Sequence, residues 1–279
     1  MTGPEVVAHR GATAEAPEHT LAAYRRAAEI GADAVECDVR MTRDGVLVCV
    51  HDRQIATTSN GRGVVSALHL DELEQFHFGA RRTAPRSRWA DDEITAVTDE
   101  PDVESGLVLT LERLLAYITA TPGTVRLAIE TKHPTRHARK VEESLVACLQ
   151  RFGLLRGGHP VEWAGKPAVR MMSFSQLAVR RMSDLAPGVP TVQLIGKRLR
   201  PVRRELLLGS ATAVGPGISL IRSDPGYVAA AHAAGKEVHI WTVNSPADMD
   251  LVRDLGVDGV VTDHPDVLLR RLGREVAGS

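Results

Sequence analysis

"VVAHRGATAEAPEHTLAAYRRAAEIGADAVECDVRMTRDGVLVCVHD" occupies residues 6–52. Three apolar, strand-like runs in it end in ionisable residues: His9-Arg10, Glu36-x-Asp38 and His51-Asp52. Between the first two runs, Thr20 is placed to cap a helix, Leu21, Tyr24 and Ala28 share one face, and Gly31 stops it. Strand, helix and strand in that order form the repeating unit of a parallel sheet. A buried strand ends in charge where the sheet keeps its chemistry, at the rim formed by the strands' C-terminal ends.

Outward from this stretch the alternation continues. Strand candidates lie at 5–9, 33–38, 46–51, 125–131, 169–174, 191–195, 216–220, 237–243 and 258–262. Thr110 precedes Leu111, Leu114, Leu115 and Ile118 at helical spacing, and Val141, Leu145, Leu149 and Phe152 repeat the habit before Gly153. Asp224-Pro225 and Ser245-Pro246 each read as an N-cap followed by proline, with Gly235 and Gly256 closing the helices. The pattern predicts an α/β fold, a (β/α)8 TIM barrel over residues 1–279 as one domain, with an open doubly wound sheet as the alternative. Nine candidates compete for eight places, with 191–195 and 216–220 the two between which the surplus is expected. Only "VRMTRDG" separates Asp38 from Val46. Seven extended residues span about 23 Å, so the second and third strands are expected to lack a crossover helix. Residues 77–106, polar and carrying Pro85 and Pro101, are expected to form a loop or small subdomain inserted over one end of the barrel.

Composition narrows the function classes. The 279 residues are 43% hydrophobic and 25% charged, and 34 basic against 35 acidic residues leave a formal net charge of −1. That balance gives no global pull toward nucleic acid or anionic membrane. The basic clusters, Lys197 to Arg204 and "TKHPTRHARK" at 131–140, read as solvated faces. No run approaches the 18 or so apolar residues of a membrane span, and no secretory leader is evident, so a cytoplasmic location is expected. Cys37, Cys49 and Cys148 form no CxxC pair and read as buried thiols.

The residues at the strand ends carry the chemistry. Glu36 and Asp38 are two apart, so on a strand both side chains face the same side, and Glu130 and Lys132 repeat that geometry. Three converging carboxylates without cysteine describe an oxygen site for one hard divalent cation, Mg²⁺ or Ca²⁺, with Mn²⁺ as a further candidate. His9 and His51 suit an acid–base pair because imidazole titrates near neutrality. Arg10 and Lys132 add positive charge that suits an anionic substrate, the alternative for Arg10 being an internal ion pair with Asp52 or Glu18. Together these point to metal-assisted phosphodiester cleavage.

The series "AHRG…PEHT…ECDV…TRDG…VCVHD", followed by "AIETK" at 128–132, "MSF" at 172–174, "WTVN" at 241–244 and "GVDGVVTDHPD" at 256–266, resembles the glycerophosphodiester phosphodiesterase family. The resemblance implies a phospholipase C-like TIM barrel that cleaves glycerophosphodiesters, small-molecule substrates, to sn-glycerol 3-phosphate and an alcohol, through attack by the substrate's own hydroxyl and a cyclic phosphate. It implies Glu36, Asp38 and Glu130 as metal ligands, His9 and His51 as the acid–base pair, Arg10 and Lys132 as phosphate contacts and Trp241 in the substrate pocket. Two departures stand out. His19 replaces the asparagine usual in the "PENT" element and adds a third titratable group, and Thr131 replaces an aliphatic residue but should face away from the barrel interior. A lysophospholipase D or sphingomyelinase D-like activity on the same barrel is the alternative, and a non-catalytic barrel binding a phosphorylated metabolite is a third.

Overall fold

The computed structural model describes residues 3–79, 106–120, 125–196 and 209–276. In chain order the first strands are β1 Glu5–Ala8, β2 Ala34–Met41, β3 Leu47–Cys49 and β4 Arg126–Thr131. Two small antiparallel pairs follow, β5 Leu155–Arg156 with β6 His159–Pro160 and β7 Glu162–Trp163 with β8 Lys166–Pro167. The remaining strands are β9 Val169–Ser173, β10 Thr191–Ile195, β11 Ala213–Pro216, β12 Glu237–Ile240 and β13 Gly259–Thr262. Strands β1, β2, β4, β9, β10, β11, β12 and β13 pair in parallel in that order, and β13 returns to β1. The sheet is therefore a closed barrel of eight parallel strands, and the open doubly wound alternative is excluded.

β3 is the surplus strand, and the expectation about it needs correcting. β2 runs on past the barrel rim to Met41, the chain turns at Thr42–Gly45, and β3 comes back antiparallel against Val39–Met41. Thr42 Oγ1 accepts from the Val46 amide at 2.9 Å, and Gly45 takes φ 92°, so the tight turn is locally specified. The short connection thus makes a hairpin above the rim and never returns to the barrel's other end. Both 191–195 and the region near 216 supply barrel strands, but the latter is displaced: the strand is 213–216 and the apolar run beyond it forms a short helix, Ile218–Ser223. A short apolar run has no periodicity by which to tell the two apart.

The helices are α1 Leu21–Ile30, α2 Leu70–Leu73, α3 Leu111–Ala120, α4 Lys140–Arg151, α5 Gln176–Leu185, α6 Ile218–Ser223, α7 Gly226–Ala233, α8 Pro246–Asp254 and α9 Pro265–Arg271. The Thr20 hydroxyl accepts from the Ala23 amide to cap α1, and Gly31 ends it in the left-handed region, as the punctuation predicts. Ser245 caps α8 in the same way. Asp224 does not cap α7; it closes α6, and Pro225 occupies the N-cap position. Cys37, Cys49 and Cys148 are buried free thiols. Of the expected insertion, residues 80–105 lie outside the described residues, as does the basic cluster from Lys197 to Arg204.

Strand period two sorts the barrel interior into layers. At the N-terminal end, Glu5 pairs with Arg126 at 2.7 Å and Arg170 at 2.8 Å, and Arg170 also reaches the buried His239. Above them Val7, Ala34, Ala128, Met172, Val192, Leu194, Ala213 and Val261 form an apolar middle layer. The next inward positions on β1, β2, β4, β9, β12 and β13 fall at the C-terminal rim. They are His9, Glu36 and Asp38, Glu130 and Lys132, Phe174, Trp241 and Asp263.

Candidate active site

Glu36, Asp38 and Glu130 present carboxylate oxygens within 4.8 Å of one another, and all three are buried. Register explains the approach: β2 and β4 are direct neighbours with Asp38 opposite Glu130. Lys132 bridges them, its Nζ lying 2.8 Å from both Asp38 Oδ1 and Glu130 Oε1. One ammonium does not neutralise three buried carboxylates. Burial, with repulsion from Asp38, pushes Glu130 up to about 7. Burial pushes Glu36 well above the usual carboxylate range, and repulsion from Asp38 and Glu130 adds to it. Asp38 is the ionised member. Burial opposes its charge, but the hydrogen bond from His19 and the charges of Lys132 and Arg10 hold its pKa well below the ordinary value. The donor set is oxygen only, with a charge deficit, which fits a hard divalent cation.

Two imidazoles flank this cluster. His9 Nδ1 lies 2.7 Å from Asp263 Oδ1, and Asp263 also accepts from the Thr13 hydroxyl at 3.0 Å and from the Asn244 amide. Burial works against the Asp263 charge, yet these donors, led by His9, bring its pKa down to about 2. A carboxylate on Nδ1 fixes the ring and leaves Nε2 for chemistry. His51 Nδ1 pairs with Asp52 at 2.8 Å, while the Arg40 guanidinium donates to the His51 carbonyl at 2.9 and 2.7 Å. Burial lowers the His51 pKa against the attraction of Asp38, with Lys132 and Arg10 lowering it further. His51 reaches the rim by an unexpected route. The Val50 amide donates to the Asp38 carbonyl at 3.0 Å, so the antiparallel return of β3 delivers His51 to the level of the cluster from above.

Arg10 is committed to neighbouring acids. Its Nη1 donates to both Glu18 oxygens at 3.1 Å, its Nε lies 3.2 Å from Asp38, and its backbone amide donates to Glu36. The ion pair with Glu18 foreseen as an alternative is therefore present, and that with Asp52 is not. Arg10 adopts φ 57° and is followed by Gly11 at φ 93°, where an added Cβ would lie 2.7 Å from the Ala23 backbone. Trp241 donates from Nε1 to the Gly215 carbonyl at 2.7 Å and packs on the apolar middle layer. Phe174 meets it edge-on, with centroids 5.3 Å apart.

His19 joins the cluster from behind. It is buried, with Nε2 3.0 Å from Asp38 Oδ2 and Nδ1 2.8 Å from the Tyr24 hydroxyl. Burial lowers its pKa, so the neutral ring donates to Asp38 and accepts from Tyr24. Thr131 faces away from the barrel interior as expected and is fully buried. All eight residues singled out in the sequence lie at this rim. Asp263 and Phe174 were inside quoted motifs without a role, and their position just past a strand end was the available signal.

The molecule has relatives at every level of comparison. The model of the glycerophosphoryl diester phosphodiesterase family matches residues 9–267. The chain is 42% identical over 265 residues to "Probable glycerophosphodiester phosphodiesterase 1" of Mycobacterium tuberculosis, covering 94% of this chain and 90% of that one. It is 33% identical over 266 residues to a glycerophosphodiester phosphodiesterase of Bacillus subtilis, covering 94% and 84%. Among solved structures, a Parabacteroides distasonis glycerophosphodiester phosphodiesterase superposes with a TM-score of 0.75 at 25% identity, covering 98% of both chains. An Oleispira antarctica phosphodiesterase in complex with the product sn-glycerol-3-phosphate superposes with a TM-score of 0.77 at 22% identity, covering 97% of both. By motif, by sequence along nearly its whole length and by barrel architecture, this chain belongs to the glycerophosphoryl diester phosphodiesterase family.

Proposed function

We propose that this chain hydrolyses glycerophosphodiesters to sn-glycerol 3-phosphate and an alcohol. The observation that carries the reading is the pairing of a buried, charge-deficient carboxylate trio with two histidines whose Nδ1 atoms are each held by an aspartate. Glu36, Asp38 and Glu130 would hold one divalent cation, Mg²⁺ or Ca²⁺ with Mn²⁺ as a further candidate, which when bound supplies Lewis acidity toward a phosphate oxygen. Asp38, already ionised, anchors that set, and His19 fixes its orientation through Nε2. Lys132 and Arg10 offer positive charge to the phosphate from the same wall. His51 has a lowered pKa, which keeps its Nε2 unprotonated at neutral pH and ready to take a proton from the substrate's own glycerol hydroxyl. That hydroxyl closes on phosphorus to give a cyclic phosphate as the alcohol leaves. His9, oriented by Asp263, would protonate the leaving oxygen and then take a proton from the water that opens the ring, as His51 returns its proton to the glycerol oxygen. Trp241 and Phe174 offer an apolar wall for the substrate's carbon skeleton.

A lysophospholipase D-like activity is the second reading, because Phe174 and Leu177 are 42% and 56% exposed, Phe174 against Trp241. Glycerophosphocholine turned over in preference to lysophosphatidylcholine supports the first reading, and the reverse order supports the second. His51→Ala should lower kcat by about 10²- to 10⁴-fold while calorimetry shows divalent-cation binding unchanged. Wild-type turnover in that variant would remove His51 from the mechanism.

A further inference from the structure

Beside the carboxylate cluster, sharing Lys132 with it, lies a pocket of about 150 Å³. It opens between the β2–β3 hairpin and the segment following β4, and its walls include Arg40, Arg53, Lys132 and Arg136, with Ser66 and Thr135. No carboxylate lines it among the described residues. Lys132 is engaged by Asp38 and Glu130. Among the described residues, two of the guanidiniums meet only backbone carbonyls: Arg40 is held by that of His51, and Arg136 Nη1 donates to that of Ser66 at 3.1 Å. Asp52, next to Arg53 in the chain, is turned to the His51 ring. Among the described residues none of the three arginines forms an ion pair with a carboxylate. Three guanidiniums around one open cavity, Arg53 and Arg136 at its exposed edge, give it a positive potential that favours an entering anion. Guanidinium forks match phosphate oxygens in particular.

Building on the phosphodiesterase reading, we propose that this pocket receives the leaving alcohol and selects alcohols that carry a second phosphate. Hydrolysis at the cluster breaks the bond between phosphorus and the leaving oxygen. The pocket shares a wall with the cluster through Lys132, so a phosphate carried by that alcohol meets Arg40, Arg53 and Arg136 while the diester stays at the cluster. A cationic headgroup such as choline meets repulsion from the same walls. Arg136 belongs to the 131–140 basic run read as a solvated face, and here one of its members is turned to a use.

The test compares glycerophosphoglycerol with the same diester phosphorylated on its terminal glycerol hydroxyl, so that the substrates differ by one phosphate. The wild-type enzyme should show kcat/KM at least about tenfold higher for the phosphorylated ester. The double variant Arg53→Gln/Arg136→Gln should lose that preference while turning over glycerophosphoglycerol as the wild type does, which also shows that it is folded. Equal kcat/KM for both esters in the wild type, a preference that survives the double substitution, or a uniform loss on both esters would overturn the assignment. Absence of turnover on either ester would instead overturn the phosphodiesterase reading, and the pocket's role with it.

Discussion

At the scale of single residues, the site is a contest between burial and charge. Glu130, Glu36 and Asp38 share a buried space, and two of them are pushed toward the protonated state while Lys132, Arg10 and His19 keep Asp38 ionised. Thr131 shows the same physics without the function. Its hydroxyl is buried with no hydrogen-bond partner among the described residues, on the face of β4 turned away from the site. Thr131→Val removes an unsatisfied polar group at nearly constant shape, and denaturant unfolding should show a gain of about 1 kcal/mol with activity unchanged. A loss of stability would mean that the hydroxyl has a partner. Glu36, Asp38, Glu130 and Lys132 were legible because i, i+2 spacing at a strand end is a local signal. The partnership of His9 with Asp263 joins residues 254 positions apart in the chain, and that of His19 with Asp38 and Tyr24 depends on how α1 docks; neither is encoded in spacing.

At the scale of elements, the hairpin β2–β3 and the turn after β1 place the chemistry. The sequence marked His51 as the end of a strand over 46–51, which the structure shortens to Leu47–Cys49 with His51 two residues beyond it, and took that strand for a member of the barrel. Its direction could not be read locally, because three apolar residues look alike whether they run up or down. The displaced strand near 216 failed for a related reason: Leu220 and Ile221 are as apolar as a buried strand. Caps and stops, which are local hydrogen bonds, were legible at Thr20, Gly31, Ser245 and Gly256. The turn after β1 is tight: Gly11 sits at φ 93° with α1 against it, leaving no room for a side chain. Gly11→Ala combines backbone strain with a steric clash and should cost about 1–3 kcal/mol in thermal unfolding. Activity should fall as well, since His9 and Arg10 lead into that turn. Unchanged melting and turnover would show that the turn is not fixed by this contact.

At the scale of the whole molecule, the barrel separates stability from chemistry along its axis. Glu5 is paired with Arg126 and Arg170 at the N-terminal end, an apolar layer closes the middle, and the charge-deficient end lies uppermost. That deficit links pH, cation and stability. Glu130 has a folded pKa of about 7 against an ordinary 4.5, so the folded state holds its proton more tightly between those values. Without a cation, stability therefore declines as pH rises through that window. Asp38 acts in the opposite sense, its contribution being present above 3.8 and lost as pH falls below it. A divalent cation binds the ionised carboxylates, so it should raise the melting temperature more at pH 8 than at pH 5.5. An equal rise at both would contradict the ligand assignment. The account stands or falls on a simpler experiment: strip the purified protein with chelator and measure sn-glycerol 3-phosphate release from glycerophosphoglycerol, restoring Mg²⁺, Ca²⁺ or Mn²⁺ one at a time. The account predicts no turnover until one of these cations is returned. Full turnover by the stripped protein, or none with any cation in a folded protein that binds it, would contradict it.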